Sequence, residues 1–126
     1  MPLVRIDLSQ DSPESLGRSI GDIVYQAMID VINVPADDKF QIISRRDANE
    51  LVFPQQYLGI QYSPGIVFLQ ITLNQGRSIE LKKAFYRRIA EDLHAKLGMR
   101  RQDVFINLVE VQKENWSFGD GEMQYA

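Results

Sequence analysis

The feature that most constrains this chain is an internal repeat without a gap. Residues 4–43, "VRIDLSQDSPESLGRSIGDIVYQAMIDVINVPADDKFQII", overlay residues 69–108, "LQITLNQGRSIELKKAFYRRIAEDLHAKLGMRRQDVFINL", at a constant shift of 65. Ile6 meets Ile71, Leu8 meets Leu73, Gln10 meets Gln75, Leu16 meets Leu81, Asp38 meets Asp103 and Phe40 meets Phe105. Apolar residues keep the same phase along the whole span, as in Val4/Leu69, Ile20/Phe85, Val24/Ile89, Met28/Leu93, Ile32/Leu97 and Ile43/Leu108. A repeat this regular dictates two copies of one supersecondary unit.

Each copy reads strand, helix, strand. "VRIDL" alternates with period two and "IVFLQITL" is rich in β-formers. Leu16, Ile20, Ile23, Val24, Ala27 and Val31 share one helical face, as do Leu81, Phe85, Ile89, Leu93 and Leu97, with Ala84 beside them. "DSPES" offers a helix start, with Asp11 or Ser12 capping and Pro13 in the first turn, and Ser78 offers a cap for the second helix. Pro35 stops the first helix and Gly98 the second. "KFQIIS" and "DVFINLVEV" close the two copies as strands. The expectation is an α/β (α+β) chain: two βαβ units making a four-stranded sheet with both helices on one face. Strands such as "GIVFLQITL" carry apolar residues on both faces, so the uncovered face calls for a partner subunit. A single domain over 1–126 is expected, with a linker at 46–65, where "ELVFP" and "YLGIQ" suggest short strands, and a non-helical aromatic tail at 112–126.

Composition then removes whole classes of chemistry. There are no cysteines and one histidine, His94. Thiolate catalysis, disulfides, Cys-ligated zinc and a His-rich metal site are therefore excluded, and no metal or cofactor is expected. A net charge of −3 argues against a nucleic-acid binder. No apolar run approaches a membrane span and no cleavable signal opens the chain, which makes a cytoplasmic protein the expectation. Catalysis would have to come from carboxylates, arginines, tyrosines or the N-terminus.

The opening "MPLVRIDL" bears on the last of these. Pro2 has two readings. It is tolerated as the first residue of a strand, where a missing N–H costs little. Alternatively, removal of Met1 would leave a secondary amine as the N-terminus. An ordinary α-amino group titrates near ~8. Desolvation lowers such a value and a nearby carboxylate raises it, so one amine can serve as base or acid.

Pro2, the 65-residue repeat, "VPADDKFQII", "QGRS" and "NWSFG" together resemble the tautomerase superfamily, and within it the malonate semialdehyde decarboxylase-like branch. The resemblance spans nearly the whole chain. It implies a tautomerase/MIF-like fold, a homotrimer, a small carboxylate substrate, and an amino-terminal proline as acid/base. Residue by residue, it assigns catalysis to Pro2, Asp38 and Arg77, and an aromatic wall to Trp116 and Phe118. The "QGRS" turn departs from the branch's pattern. Gln75 stands where the decarboxylase has the first of two arginines, and an amide cannot neutralise a carboxylate. Gln75 is accordingly read as substrate-binding, and keto–enol tautomerisation of a small 2-oxo or 3-oxo acid is expected ahead of decarboxylation or hydration. An oligomeric interaction module without catalysis is the reading from another class. Tyr57, Tyr62 and Tyr125 are hydroxyl donors with no spacing to select among them.

Overall fold

The computed structural model describes residues 1–125. The elements run β1 (Leu3–Ser9), α1 (Leu16–Ile32), β2 (Phe40–Arg46), β3 (Gln56–Tyr57), β4 (Ile60–Gln61), β5 (Val67–Asn74), α2 (Ile79–Leu97) and β6 (Val104–Val111), with single 3-10 turns at Ala48–Glu50, Arg101–Asp103 and Lys113–Asn115. The main sheet has the order β2-β1-β5-β6. Within each repeat the strands are parallel, β1 with β2 and β5 with β6, while β1 and β5 meet antiparallel at the centre.

The shift of 65 survives in detail. Both helices end on a left-handed residue, Asn33 (φ 59°) and Gly98 (φ 67°). In both, the next amide reaches back to the helix: Val34 N–H donates to Met28 O and Met99 N–H to Leu93 O. After the first strands, Gln10 N–H donates to Arg46 O and Gln75 N–H to Val111 O.

The core fills one side of the sheet. Val4, Ile6 and Leu8 from β1 and Val67, Leu69, Ile71 and Leu73 from β5 pack against Ile20, Val24, Ala27 and Met28 of α1 and Phe85, Ile89 and Leu93 of α2. Leu81 and Leu97 are half-buried at the ends of the stripe, and Ala84 lies exposed, outside it. α1 approaches β2 closely through Gly17 and Gly21, one turn apart. A Cβ on Gly17 would lie 2.5 Å from Ile43 Cγ2, and one on Gly21 would lie 2.2 Å from Gln41 Oε1. Gln41 uses that contact to donate to Gly21 O at 2.8 Å.

Two expectations are corrected. α1 begins at Leu16 with Ser15 at its cap position, so Asp11 and Ser12 do not cap it and Pro13 precedes it in a turn. "ELVFP" forms no strand; the linker's hairpin is β3–β4, turned by Leu58 (φ 49°) and Gly59 (φ 82°), where positive φ at both central positions suits the twist of a hairpin. The open sheet face carries apolar residues beside polar ones. Asp7 pairs with Arg46 at 2.8 Å and Gln70 with Asn107 at 3.1 Å across its middle, while Phe40, Ile42, Phe105 and Val109 are its exposed apolar residues. Ser78 caps α2 as expected, accepting from Leu81 N–H at 3.2 Å.

Candidate active site at the N-terminal end of the sheet

Antiparallel pairing of β1 with β5 sets Leu3 opposite Thr72, so the chain's first residues lie beside the end of β5 and the "QGRS" turn that follows. Parallel pairing of Leu3 with Phe40 puts the "PADDK" turn on the other flank. Pro2 is buried and Met1 half-buried.

Asp38 is set by a tight turn. Its N–H donates to Pro35 O at 3.3 Å, and Asp37 takes φ 78°, a left-handed conformation that a short polar side chain tolerates. Asp37 N–H donates to the Tyr25 hydroxyl at 3.1 Å, and Lys39 pairs with Asp22 at 2.6 Å over the Tyr25 ring. The turn is thus tied to α1 on both sides of Asp38. The Asp38 carboxylate then faces the N-terminus: the Met1 amino group lies 3.5 Å from its Oδ2.

The same amino group donates to the Tyr125 hydroxyl at 3.4 Å. Burial first, and the Asp38 carboxylate second, hold the Tyr125 phenol above its ordinary value of 10.0. Its ring meets Phe118 edge-on, with centroids 5.2 Å apart. Phe118 stacks on Trp116 at 5.6 Å and on Phe40 at 6.3 Å. Trp116 Nε1–H donates to Asn74 Oδ1 at 2.7 Å, which pins the aromatic run to the end of β5.

Arg77 follows Gly76, whose φ of 125° keeps the turn open to glycine. Its Nε–H donates to Ile32 O at 3.2 Å and its Nη1–H to Asn74 O at 3.0 Å. Two of the guanidinium's five N–H bonds are thereby spent on holding it between the ends of α1 and β5. Gln75 is exposed, and its backbone N–H donates to Val111 O.

The chain therefore gathers Pro2, Asp38, Trp116 and Phe118 around the N-terminus, with Arg77 held on the adjoining turn through Asn74, and Gln75 exposed beside it. Sequence reasoning missed Asn74 and left Tyr125 unselected among three tyrosines. Asn74 is an ordinary strand end in the sequence, and only its bonds to Trp116 and Arg77 give it a place. Tyr125 is one of several tyrosines there, and the fold of the tail alone brings it to the amine. The concavities on the open sheet face are elsewhere. One of about 410 Å³ is walled by residues including Val52, Phe53, Tyr62 and Phe105. Among the described residues no His, Cys, Asp or Glu cluster suits a metal ion, and no helix is long and apolar enough to cross a membrane.

Comparison with known proteins identifies the family. A family model described as "Tautomerase enzyme" matches residues 38–119. The probable tautomerase YusQ of Bacillus subtilis (strain 168) is 40% identical over 124 residues, 98% of each chain. The crystal structure of FG41 malonate semialdehyde decarboxylase inhibited by 3-bromopropiolate superposes with a TM-score of 0.89 at 38% identity, covering 98% of this chain and 93% of that one. A second malonate semialdehyde decarboxylase, solved in wild-type, mutant and inactivated forms and described with decarboxylase and hydratase activities, gives 0.88 at 32% identity over 98% and 95%. By the family model and by these relatives, the chain belongs to the tautomerase superfamily, on its malonate semialdehyde decarboxylase-like branch.

Proposed function

We propose that the protein acts as a cytoplasmic homotrimer, with Met1 removed, and uses the Pro2 amine as acid and base on a small 2-oxo or 3-oxo carboxylic acid. The favoured reaction is keto–enol exchange of the phenylpyruvate type. One observation carries this reading. The Met1 amino group, one residue ahead of Pro2, sits between the Asp38 carboxylate at 3.5 Å and the Tyr125 hydroxyl at 3.4 Å. The N-terminal segment thus lies within hydrogen-bond reach of two acceptors, the Asp38 carboxylate and the Tyr125 hydroxyl oxygen.

In the proposed reaction the neutral Pro2 amine takes the enol O–H proton. The freed electron pair forms the C=O bond, and the C=C pair collects the proton from the Pro2 ammonium at the adjacent carbon. The proton lost at oxygen equals the proton gained at carbon, and the amine is regenerated. Asp38 sets the balance between amine and ammonium. Arg77 holds the substrate carboxylate with its uncommitted N–H bonds, and Trp116 and Phe118 wall the site.

Decarboxylation or hydration of a 3-oxo acid is the second reading, favoured by the likeness to malonate semialdehyde decarboxylases and opposed by Gln75. The test begins with intact mass to establish removal of Met1, followed by ketonisation of phenylenolpyruvate by wild type and Pro2→Ala. The expected result is catalysis by the trimmed wild type and a loss of at least about a hundredfold in Pro2→Ala, in line with removal of a general acid–base. A trimmed, folded wild type inert toward both phenylenolpyruvate and malonate semialdehyde would leave the interaction module as the better reading.

A further inference from the structure

We propose that Asn74 is a positioning residue that sets the Trp116 ring against the substrate, a role that rests on the reading of Trp116 and Arg77 as substrate contacts. Asn74 is the last residue of β5 and is half-buried. Burial alternates along that strand, so Asn74 shares the open side of the sheet while Val67, Leu69, Ile71 and Leu73 face the core. Leu3 lies opposite Thr72, and the same antiparallel register carried two residues further sets residue 1 level with Asn74. Asn74 thus stands at the level of the N-terminus, just before the turn that holds Gln75 and Arg77. It offers one acceptor to each neighbour. Its side-chain oxygen accepts from Trp116 Nε1–H at 2.7 Å, and its backbone oxygen accepts from Arg77 Nη1–H at 3.0 Å.

The side-chain bond matters because little else ties the tail to the sheet. Residues 112–125 hold one 3-10 turn and no strand, and among the described residues the indole bond is their only hydrogen bond to the central sheet. Phe118 lies against Trp116 at 14° and against Phe40 at 25°. Such ring contacts accept a range of offsets. An indole N–H only donates and needs an acceptor in line with it, so the bond to Asn74 selects one placement of the ring. One strand end thereby locates both the aromatic wall and the guanidinium. It fixes the spacing between the surfaces that take the substrate's apolar group and its carboxylate. Both surfaces hold the substrate before and during proton transfer. Misplacing one weakens ground state and transition state alike, which is read in KM rather than kcat.

The test is steady-state kinetics of proteins trimmed to Pro2, on whichever of phenylenolpyruvate and malonate semialdehyde the wild type turns over, with melting temperatures measured alongside. Asn74→Leu keeps the shape of the side chain and removes the acceptor. Trp116→Phe keeps an aromatic wall and removes the donor. Each is expected to raise KM by about fivefold to tenfold, the worth of one hydrogen bond, with kcat within about twofold. The double variant is expected to be no worse than the weaker single one, because both substitutions remove the same bond. Trp116 is the chain's one tryptophan, so its emission reports the bond directly. A red shift and easier acrylamide quenching are expected in Asn74→Leu, and the wild-type spectrum in Asn74→Asp, which keeps an acceptor. Wild-type KM in Asn74→Leu, a loss confined to kcat, or losses that multiply in the double variant overturn the assignment. So does an Asn74→Asp spectrum that moves as far as that of Asn74→Leu, or activity that falls only in proportion to lost folding. A wild type inert toward both substrates is a separate outcome: it removes the reading of the site and this proposal with it. An active wild type beside Asn74→Leu of unchanged KM removes Asn74 alone.

Discussion

Asp38 and Asp103 occupy the same position in the two repeats, yet their surroundings make them different residues. Each takes a hydrogen bond from the segment just before its own repeat's first strand. Asp38 takes it from the Met1 amine at 3.5 Å, while Asp103 takes Ser63 N–H at 2.8 Å and the Ser63 hydroxyl, and is bridged by Arg100 at 3.0 Å. Asp103 is 3% exposed and fully partnered, a structural pin for the linker. Asp38 is half-buried and faces a chain end. Gln75 is the other residue on which the proposed choice of reaction rests. Loss of CO2 from a 3-oxo acid needs cationic stabilisation of the electron density left behind. A charge-assisted hydrogen bond is worth ~1.5–3 kcal/mol, or about ten- to a hundredfold in rate. Gln75→Arg is therefore expected to raise malonate semialdehyde turnover by about tenfold or more, with enol–keto exchange changed much less. Direct assay of both reactions on the two proteins checks this, and equal gains in both would rule out a role specific to decarboxylation.

At the scale of elements, the close approach of α1 to β2 is the most exacting contact. Gly17 has no room for a Cβ, since Ile43 Cγ2 would stand 2.5 Å away on a branched side chain with little freedom. Gly17→Ala should destabilise the fold by about 1–3 kcal/mol, the cost of overpacking, despite alanine's better helix propensity. Urea unfolding measures it. Gly21→Ala meets the amide end of Gln41, which can swing aside, and should cost less. The two helices are also joined by charge. Arg88 of α2 donates to Asp30 of α1 at 2.7 Å and to Asp92 at 2.6 Å. The Arg88 bond, and then one from Gln26, hold the Asp30 carboxyl below its ordinary 3.8. A depressed carboxylate pKa contributes stability above the unfolded value and loses it as pH falls through the folded one. The melting temperature of wild type should therefore exceed that of Arg88→Gln at neutral pH by a small margin, because the pair is exposed. The margin should close in acid below pH ~4, and one that stayed constant into strong acid would assign it to packing.

For the whole molecule, the open face of the sheet is the unfinished surface. Phe40 is 50% exposed, Phe105 42% and Ile42 40%, on a face whose other side holds the core. The strands at its edges, β2 and β6, each have one unpaired side within the chain. Burying such a face against copies of itself would remove these apolar side chains from water. Sedimentation at micromolar concentration is expected to give a trimer mass. Phe105→Asp, which sets a charge into that contact, is expected to shift the mass toward monomer and reduce activity with it. A wild type that sediments as a stable monomer would mean that the N-terminal site works within one chain.

The fold was legible in the sequence because the hydrophobic phase of both repeats is local information. Alternation marks β1 and β5, a four-residue recurrence marks α2, and the cap residues Ser78 and Gly98 fix its ends. The start of α1 was not legible, because "DSPES" offers several capping residues and packing chose among them. Pro2, Asp38, Trp116 and Phe118 could be named from short motifs, since each sits in a stretch with its own signature. Asn74 could not, and Tyr125 could not be selected from the other tyrosines. Their meaning lies in contacts 42 and 124 residues away in the chain, Asn74 with Trp116 and Tyr125 with Met1. Local pattern determines which segments become strands and helices; which side chains meet at a chain end is decided only when sheet register and the aromatic tail close over it.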